Sequence, residues 1–209
     1  DVEIRRAGGR AFLLIERYDR IRRDDGVLRR LHQEDFCQAL GFTSDRKYAA
    51  DGGPVFRDCF DLLRRAATRP AVEVLKLFDA AIFNLIIGNA DAHAKNFSLL
   101  YRENGDIELA PLYDLLSTVY YPELSPRLAM KIAKRHILEE LKSSDWGIFA
   151  DETGLALRFI RTRVKELTSA VHELIGDTQT EVMESASDRN VVKEIANLIK
   201  TRAGSLQQR

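Results

Sequence analysis

The sequence predicts a mainly α-helical fold with short β-hairpins, and three observations carry that expectation. Residues 72–87 (VEVLKLFDAAIFNLII) are apolar on most sides, the signature of a helix running through the middle of a core. Residues 153–202 place apolar side chains at helical spacing with polar faces between them. Short apolar runs also meet at Gly8-Gly9 and at Asn104-Gly105, and such pairs mark hairpin turns because glycine and asparagine tolerate positive φ.

In chain order, residues 2–4 and 11–17 flank Gly8-Gly9 and predict a first hairpin, ending in the charged cluster Glu16, Arg17, Asp19 and Arg20. A polar turn follows at residues 22–26. Residues 31–40 carry Phe36, Cys37 and Leu40 at helical spacing and predict a helix stopped by Gly41. Residues 43–54 (TSDRKYAADGGP) are rich in turn formers and read as an irregular loop, with Arg46 and Lys47 as candidate contacts to a nucleotide or a protein substrate. Phe56, Phe60, Leu62 and Leu63 predict an amphipathic helix ending before Arg69-Pro70. The apolar helix of residues 72–87 then stops at Gly88 and delivers a polar loop. Beyond it, residues 97–101 and 107–110 predict a second hairpin across Asn104-Gly105.

Residues 115–121 are apolar and aromatic, and Pro122 and Pro126 break them into a loop. Residues 128–132 read as a short strand-like segment carrying Lys131. Ser143 or Ser144 is positioned to cap a helix through Trp146 and Phe149. One helix is expected from Thr153 to a stop at Gly176, and a last one over residues 179–202. There is no internal repeat and no low-complexity tract.

Composition excludes some classes. Lys+Arg and Asp+Glu are equal at 32 each in 209 residues, so no global field draws the chain to nucleic acid or to a membrane surface. Cys37 and Cys59 lack metal-ligand spacing and read as reduced core residues. With neither a signal peptide nor a run of about 18 apolar residues, the expected location is the cytoplasm. The first residue is Asp, and the chain enters at once into a strand-like segment. It reads as the C-terminal piece of a longer protein.

The chemistry gathers in residues 89–114 (NADAHAKNFSLLYRENGDIELAPLYD). Asp91 and Asn96 stand five residues apart in the polar loop, and the hairpin after them would return Asp114 to the same rim. Two carboxylates and a carboxamide offer hard oxygen ligands to magnesium and leave positions for phosphate oxygens. Phosphoryl transfer needs such a set: a carboxylate near the acceptor hydroxyl and a metal that offsets phosphate charge. The pair alone is common by chance and reads equally as a helix-to-strand connector. Pair, hairpin and second Asp in this order are more specific.

Five stretches carry a resemblance: ERYDR (16–20), HQEDFCQALG (32–41), RKYAADGGP (46–54), IIGNADAHAKNFSLL (86–100) and APLYDLLS (110–117). With them the sequence resembles the HipA-like serine/threonine kinases of bacterial toxin–antitoxin systems. The resemblance implies a protein-kinase-like C-terminal lobe over residues 1–209. Within it, 1–20 would be the hinge and strand segment, 21–121 the catalytic core and 122–209 the helical C-terminal part. It also implies use of ATP and Mg²⁺, with Asp91 as catalytic base and Asn96 and Asp114 holding the metal. Glu16 and Tyr18 would lie at the adenine hinge, where the family usually has Phe in place of Tyr18. His93 would lie near the nucleotide, either steadying the loop or contacting the ligand. The implied substrate is a cytoplasmic protein, of which an aminoacyl-tRNA synthetase is the known type. The implied partner is a small DNA-binding antitoxin of the HipB type, with no direct nucleic-acid or membrane binding by this chain. The family's phosphate-covering loop, nucleotide-binding lysine and autophosphorylated serine lie upstream of these residues, so the chain by itself is expected to be weak or inactive. The rival readings are an antitoxin-docking module without catalysis and a metal-dependent phosphohydrolase.

Overall fold

A computed structural model of the chain describes residues 2–209. The predicted first hairpin is present as β1 (Val2–Ala7) and β2 (Arg10–Ile15). Gly8 and Gly9 both take positive φ (56° and 76°), as a two-residue hairpin turn requires. β2 is exposed along its whole length, including Phe12, Leu13, Leu14 and Ile15.

A small hairpin that the sequence reading did not anticipate follows, β3 (Arg20–Arg22) with β4 (Leu28–Arg30). Its register sets Arg20 directly opposite Arg30, a destabilising pairing of like charges. Asp19, almost fully buried, offsets it. Its carboxylate accepts from Arg17 Nε (2.8 Å) and Nη2 (2.6 Å) and from Arg20 Nη1 (2.6 Å), with Arg30 Nε at 3.7 Å.

The expected helix over residues 31–40 is half strand and half helix. β5 (His32–Asp35) pairs with β6 (Ser98–Tyr101), and only α1 (Phe36–Ala39) is helical. The helix begins late because Asp35 caps it. The Asp35 carboxylate accepts from the Gln38 N–H and the Gln38 side chain accepts from the Asp35 N–H, both at 3.0 Å. β7 (Ile107–Leu109) completes a sheet of order β5-β6-β7. Its β6–β7 turn is a three-residue loop in which only Gly105 takes positive φ (88°). Asn104 instead uses its side chain, accepting from the Asp106 N–H at 3.0 Å.

Two helices fill the centre as expected: α2 (Phe56–Ala66) and α3 (Pro70–Ile87). Pro70 opens α3, where its missing N–H costs nothing. Phe36, Phe60, Leu77, Phe78, Ile82 and Phe149 are fully buried around them, each contributing roughly 2–3 kcal/mol of apolar burial. Cys37 and Cys59 are buried and reduced. No strand forms over residues 128–132; their backbone makes an irregular path with one bridge, Ile132 to Arg135, that buries Leu128, Met130 and Ile132.

α4 (Asp145–Thr153) follows Ser144, whose side chain makes no capping bond; the buried Asp145 accepts from the Lys142 N–H instead. α5 (Leu157–Ser185) starts later than expected, after Gly154 in the left-handed conformation, and runs straight through Gly176. A single glycine lowers helix propensity by only about 1 kcal/mol, and packing of α5 along α6 (Arg189–Gln207) outweighs it. The break lies at residues 186–188, where Asp188 caps α6 by accepting from Asn190 and Val191 N–H. No helix among the described residues is long and apolar enough to cross a membrane.

The Arg17 and Arg20 guanidiniums hold the Asp19 carboxyl well below its usual range, at about 2, against the opposing effect of burial. Because the folded-state value is depressed, this stabilisation is full above the ordinary value of 3.8 and fades as the pH falls toward 2. Asp19→Asn is expected to cost about 2 kcal/mol at pH 7. In urea denaturation, the wild-type advantage should shrink between about pH 4 and pH 2.

Candidate active site

The site hangs from the C-terminal end of α3. Gly88 closes the helix in the left-handed conformation (φ 77°), and a Cβ there would collide with the Val119 side chain. Its carbonyl accepts from the Val119 N–H (3.1 Å) and from Thr118 Oγ1 (3.2 Å). Thr118 Oγ1 in turn accepts from the Ala90 N–H at 2.8 Å. The buried Arg202 of α6 donates from Nε to the Leu85 carbonyl at 2.9 Å, a second bond to an acceptor that also takes the Gly88 N–H (3.3 Å). Asp91 therefore emerges, exposed, from a loop whose preceding residues are pinned on several sides.

Asn96 and Asp114 meet. The hairpin brings them together as expected, and Asn96 Nδ2 donates to Asp114 Oδ2 at 2.5 Å. Only the amide NH₂ can face a carboxylate in this way, which leaves Asn96 Oδ1 off that bond; the oxygen is buried and has no hydrogen-bond partner. Asp114 adopts φ 57°, one of two non-glycine residues among those described with positive φ. Asn89 holds it there: Nδ2 donates both to the Asp114 carbonyl (2.9 Å) and to Asn84 Oδ1 (2.9 Å). Asn84 is anchored to the Ala80 carbonyl within α3.

The chemistry of these side chains could hold a magnesium ion. An orphaned carboxamide oxygen beside a carboxylate is a hard, two-ligand set, and magnesium commonly takes one or two protein carboxylates and leaves its other positions to phosphates and water. Among the described residues no cluster of three or more His, Cys, Asp and Glu offers an all-protein cage.

The remaining predicted residues divide. His93 is buried with its ring edge-on to Tyr48 (centroids 5.5 Å apart), and its Nδ1 has no partner. Burial, then the nearby Lys47 charge, lowers its pKa, which favours neutral imidazole at pH 7. Lys47 lies over the Tyr48 ring at 4.7 Å and so borders the loop. Arg46 does not join the site: it donates to the Gly52 carbonyl (3.1 Å) and stacks on Phe42 within its own loop. Glu16 lies on the exposed stretch after β2.

Tyr18 is linked to the site by a chain of hydrogen bonds. Its hydroxyl donates to Gln33 Oε1 (2.7 Å), and Gln33 Nε2 donates to Ser98 Oγ (3.1 Å). Tyr113 OH donates to the Lys95 carbonyl (2.7 Å), so the Ser98–Tyr113 contact at 2.7 Å runs from the Ser98 hydroxyl to Tyr113. Burial pushes the Tyr113 hydroxyl up to about 12, and it stays a donor. The Tyr18 hydroxyl thus ties the expected adenine edge to the neighbours of Asn96 and Asp114.

The sequence reading missed Asn84, Asn89, Gln33, Ser98, Thr118 and Arg202. A signal existed for Asn84 alone, the one polar side chain in residues 80–87.

The HipA-like C-terminal domain family matches residues 1–178. This chain belongs to that family. It is 53% identical over 95% of its length to a Sinorhizobium fredii protein named "Putative kinase Y4mE", covering 48% of that protein. It is 31% identical over 85% of its length to the serine/threonine-protein kinase toxin HipA of Shewanella oneidensis, covering 43% of it. The chain thus spans about half the length of these curated relatives. Its fold matches a chain of the solved Shewanella oneidensis HipA, HipB and operator DNA complex with a TM-score of 0.84 and 27% identity, over 97% of this chain and 50% of that one.

Asn89→Ala removes the donation to the Asp114 carbonyl and the donation that ties Asn89 to Asn84. It is expected to cost about 2 kcal/mol in urea denaturation, the usual penalty for leaving buried polar partners unpaired.

Proposed function

We propose that this chain is the C-terminal lobe of an ATP- and Mg²⁺-dependent serine/threonine protein kinase of the HipA type. The observation that carries the reading is the orphaned Asn96 Oδ1 beside the Asp114 carboxylate, in a loop that begins with the exposed Asp91. Asn96 and Asp114 would hold magnesium, which when bound offsets charge on the nucleotide phosphates. Asp91 accepts the proton of the acceptor hydroxyl. As it does so, the hydroxyl oxygen bonds to the γ-phosphorus, the bond from that phosphorus to the β–γ bridging oxygen breaks, and ADP leaves with the electron pair. Tyr18 and Glu16 border the adenine, and neutral His93 steadies the loop against Tyr48.

The acceptor is a cytoplasmic protein, with an aminoacyl-tRNA synthetase as the type that the family suggests. The Shewanella relative's complex with HipB supports an antitoxin partner of the same kind. The phosphate-covering elements are expected from the other half of the full-length protein, since the chain covers 43–48% of its relatives.

The test is transfer of γ-phosphate from Mg-ATP to protein by the full-length protein, beside Asp91→Asn and Asp114→Asn. The wild type should incorporate phosphate, and each variant should lose at least about a hundredfold. Equal incorporation by wild type and variants would contradict the assignment.

A further inference from the structure

Directly beside Asp91 lies an open groove of about 590 Å³, within the usual range for ligand sites. Its lining includes alanines from three separate segments, Ala49, Ala90 and Ala129. Backbone bonds join them: the Ala129 N–H donates to the Ala90 carbonyl (2.7 Å) and the Ala49 N–H to the Ala129 carbonyl (3.3 Å). Leu116 and Leu124 line it while remaining 55% and 47% exposed. Leu112, Leu115 and Tyr121, from the same segment, are exposed as well. Neighbouring exposed apolar side chains of this kind mark surfaces that another chain covers.

We propose that this groove receives the acceptor polypeptide, taking a large apolar side chain next to the serine or threonine that is phosphorylated. The proposal rests on the kinase reading above and extends it to the choice of substrate. Three observations select this occupant. Asp91 itself lines the groove, so a segment seated there carries its hydroxyl to the proposed base. Asn96 and Asp114 do not line it, which leaves the nucleotide phosphates to the other flank of Asp91. Its charged lining sets the carboxylates of Asp51 and Asp91 against Arg127, a balance that disfavours an acidic or phosphorylated segment. The small alanine side chains in the lining let a peptide backbone approach closely, and the leucines offer apolar area to one bulky side chain.

The experiment uses the full-length protein, Mg-ATP and a peptide library with a fixed central serine and randomised flanks. Wild type is compared with Leu116→Asp/Leu124→Asp, with Asp91→Asn and with Leu174→Asp, a control leucine exposed on α5. Wild type should select large apolar residues beside the serine. The double variant should lose that selection and at least tenfold in peptide kcat/KM, with Mg-ATP affinity and melting temperature retained, while Leu174→Asp matches wild type. Unchanged selection and efficiency in the double variant overturns the groove assignment, as does selection of acidic flanks. Failure of wild type to modify any peptide overturns the kinase reading instead, and full activity in Asp91→Asn overturns the assignment of Asp91 as base.

Discussion

The candidate site depends on one side chain, the amide of Asn89. It is buried at the end of α3 and donates at once to Asn84 inside the helix and to the backbone of Asp114 across the hairpin. A positive φ at a residue with a Cβ is unfavourable by of order 1–2 kcal/mol, and it persists where neighbours over-determine it. Asn89 supplies that determination and references Asp114 to the most rigid element of the fold. Asn96 then completes the pair by turning its NH₂ toward Asp114 and leaving its oxygen free.

The surrounding architecture multiplies this constraint. Thr118 and Val119 clamp Gly88 from one side, and Arg202 reaches in from α6 on another. α6 lies beyond the residues that the family model matches, yet it contacts the helix end from which Asp91 departs. From the opposite direction, the Tyr18–Gln33–Ser98–Tyr113 chain joins β5, β6 and the segment before Asp114. Catalytic geometry needs positions held by rigid elements and by hydrogen-bonded supports behind them, and both kinds of support are present here.

Much of this was legible in residue order. The apolar helix, its glycine stop and the hairpin after Asn96 follow from periodicity and turn chemistry, and together they bring Asn96 to Asp114. The failures have physical reasons. Residues 32–35 look helical in isolation but form a strand because β6 offers partners far away in the chain, with Gln33 opposite Leu100 and Asp35 opposite Ser98, a contact that no local pattern encodes. Gly176 does not stop α5 because α6 packs beside it. Asn89 was invisible as a support because its role depends on the positive φ of a residue 25 positions later.

The central claim is that Asn96 and Asp114 form a prepared cation site. It is tested most directly by titrating the full-length protein with Mn²⁺, a paramagnetic stand-in for magnesium, in the presence of a non-hydrolysable ATP analogue, and comparing wild type with Asn96→Ala by electron paramagnetic resonance. The account predicts Mn²⁺ bound with the nucleotide in wild type and affinity weakened on the order of tenfold or more in the variant. Equal Mn²⁺ affinity in the two proteins would contradict it.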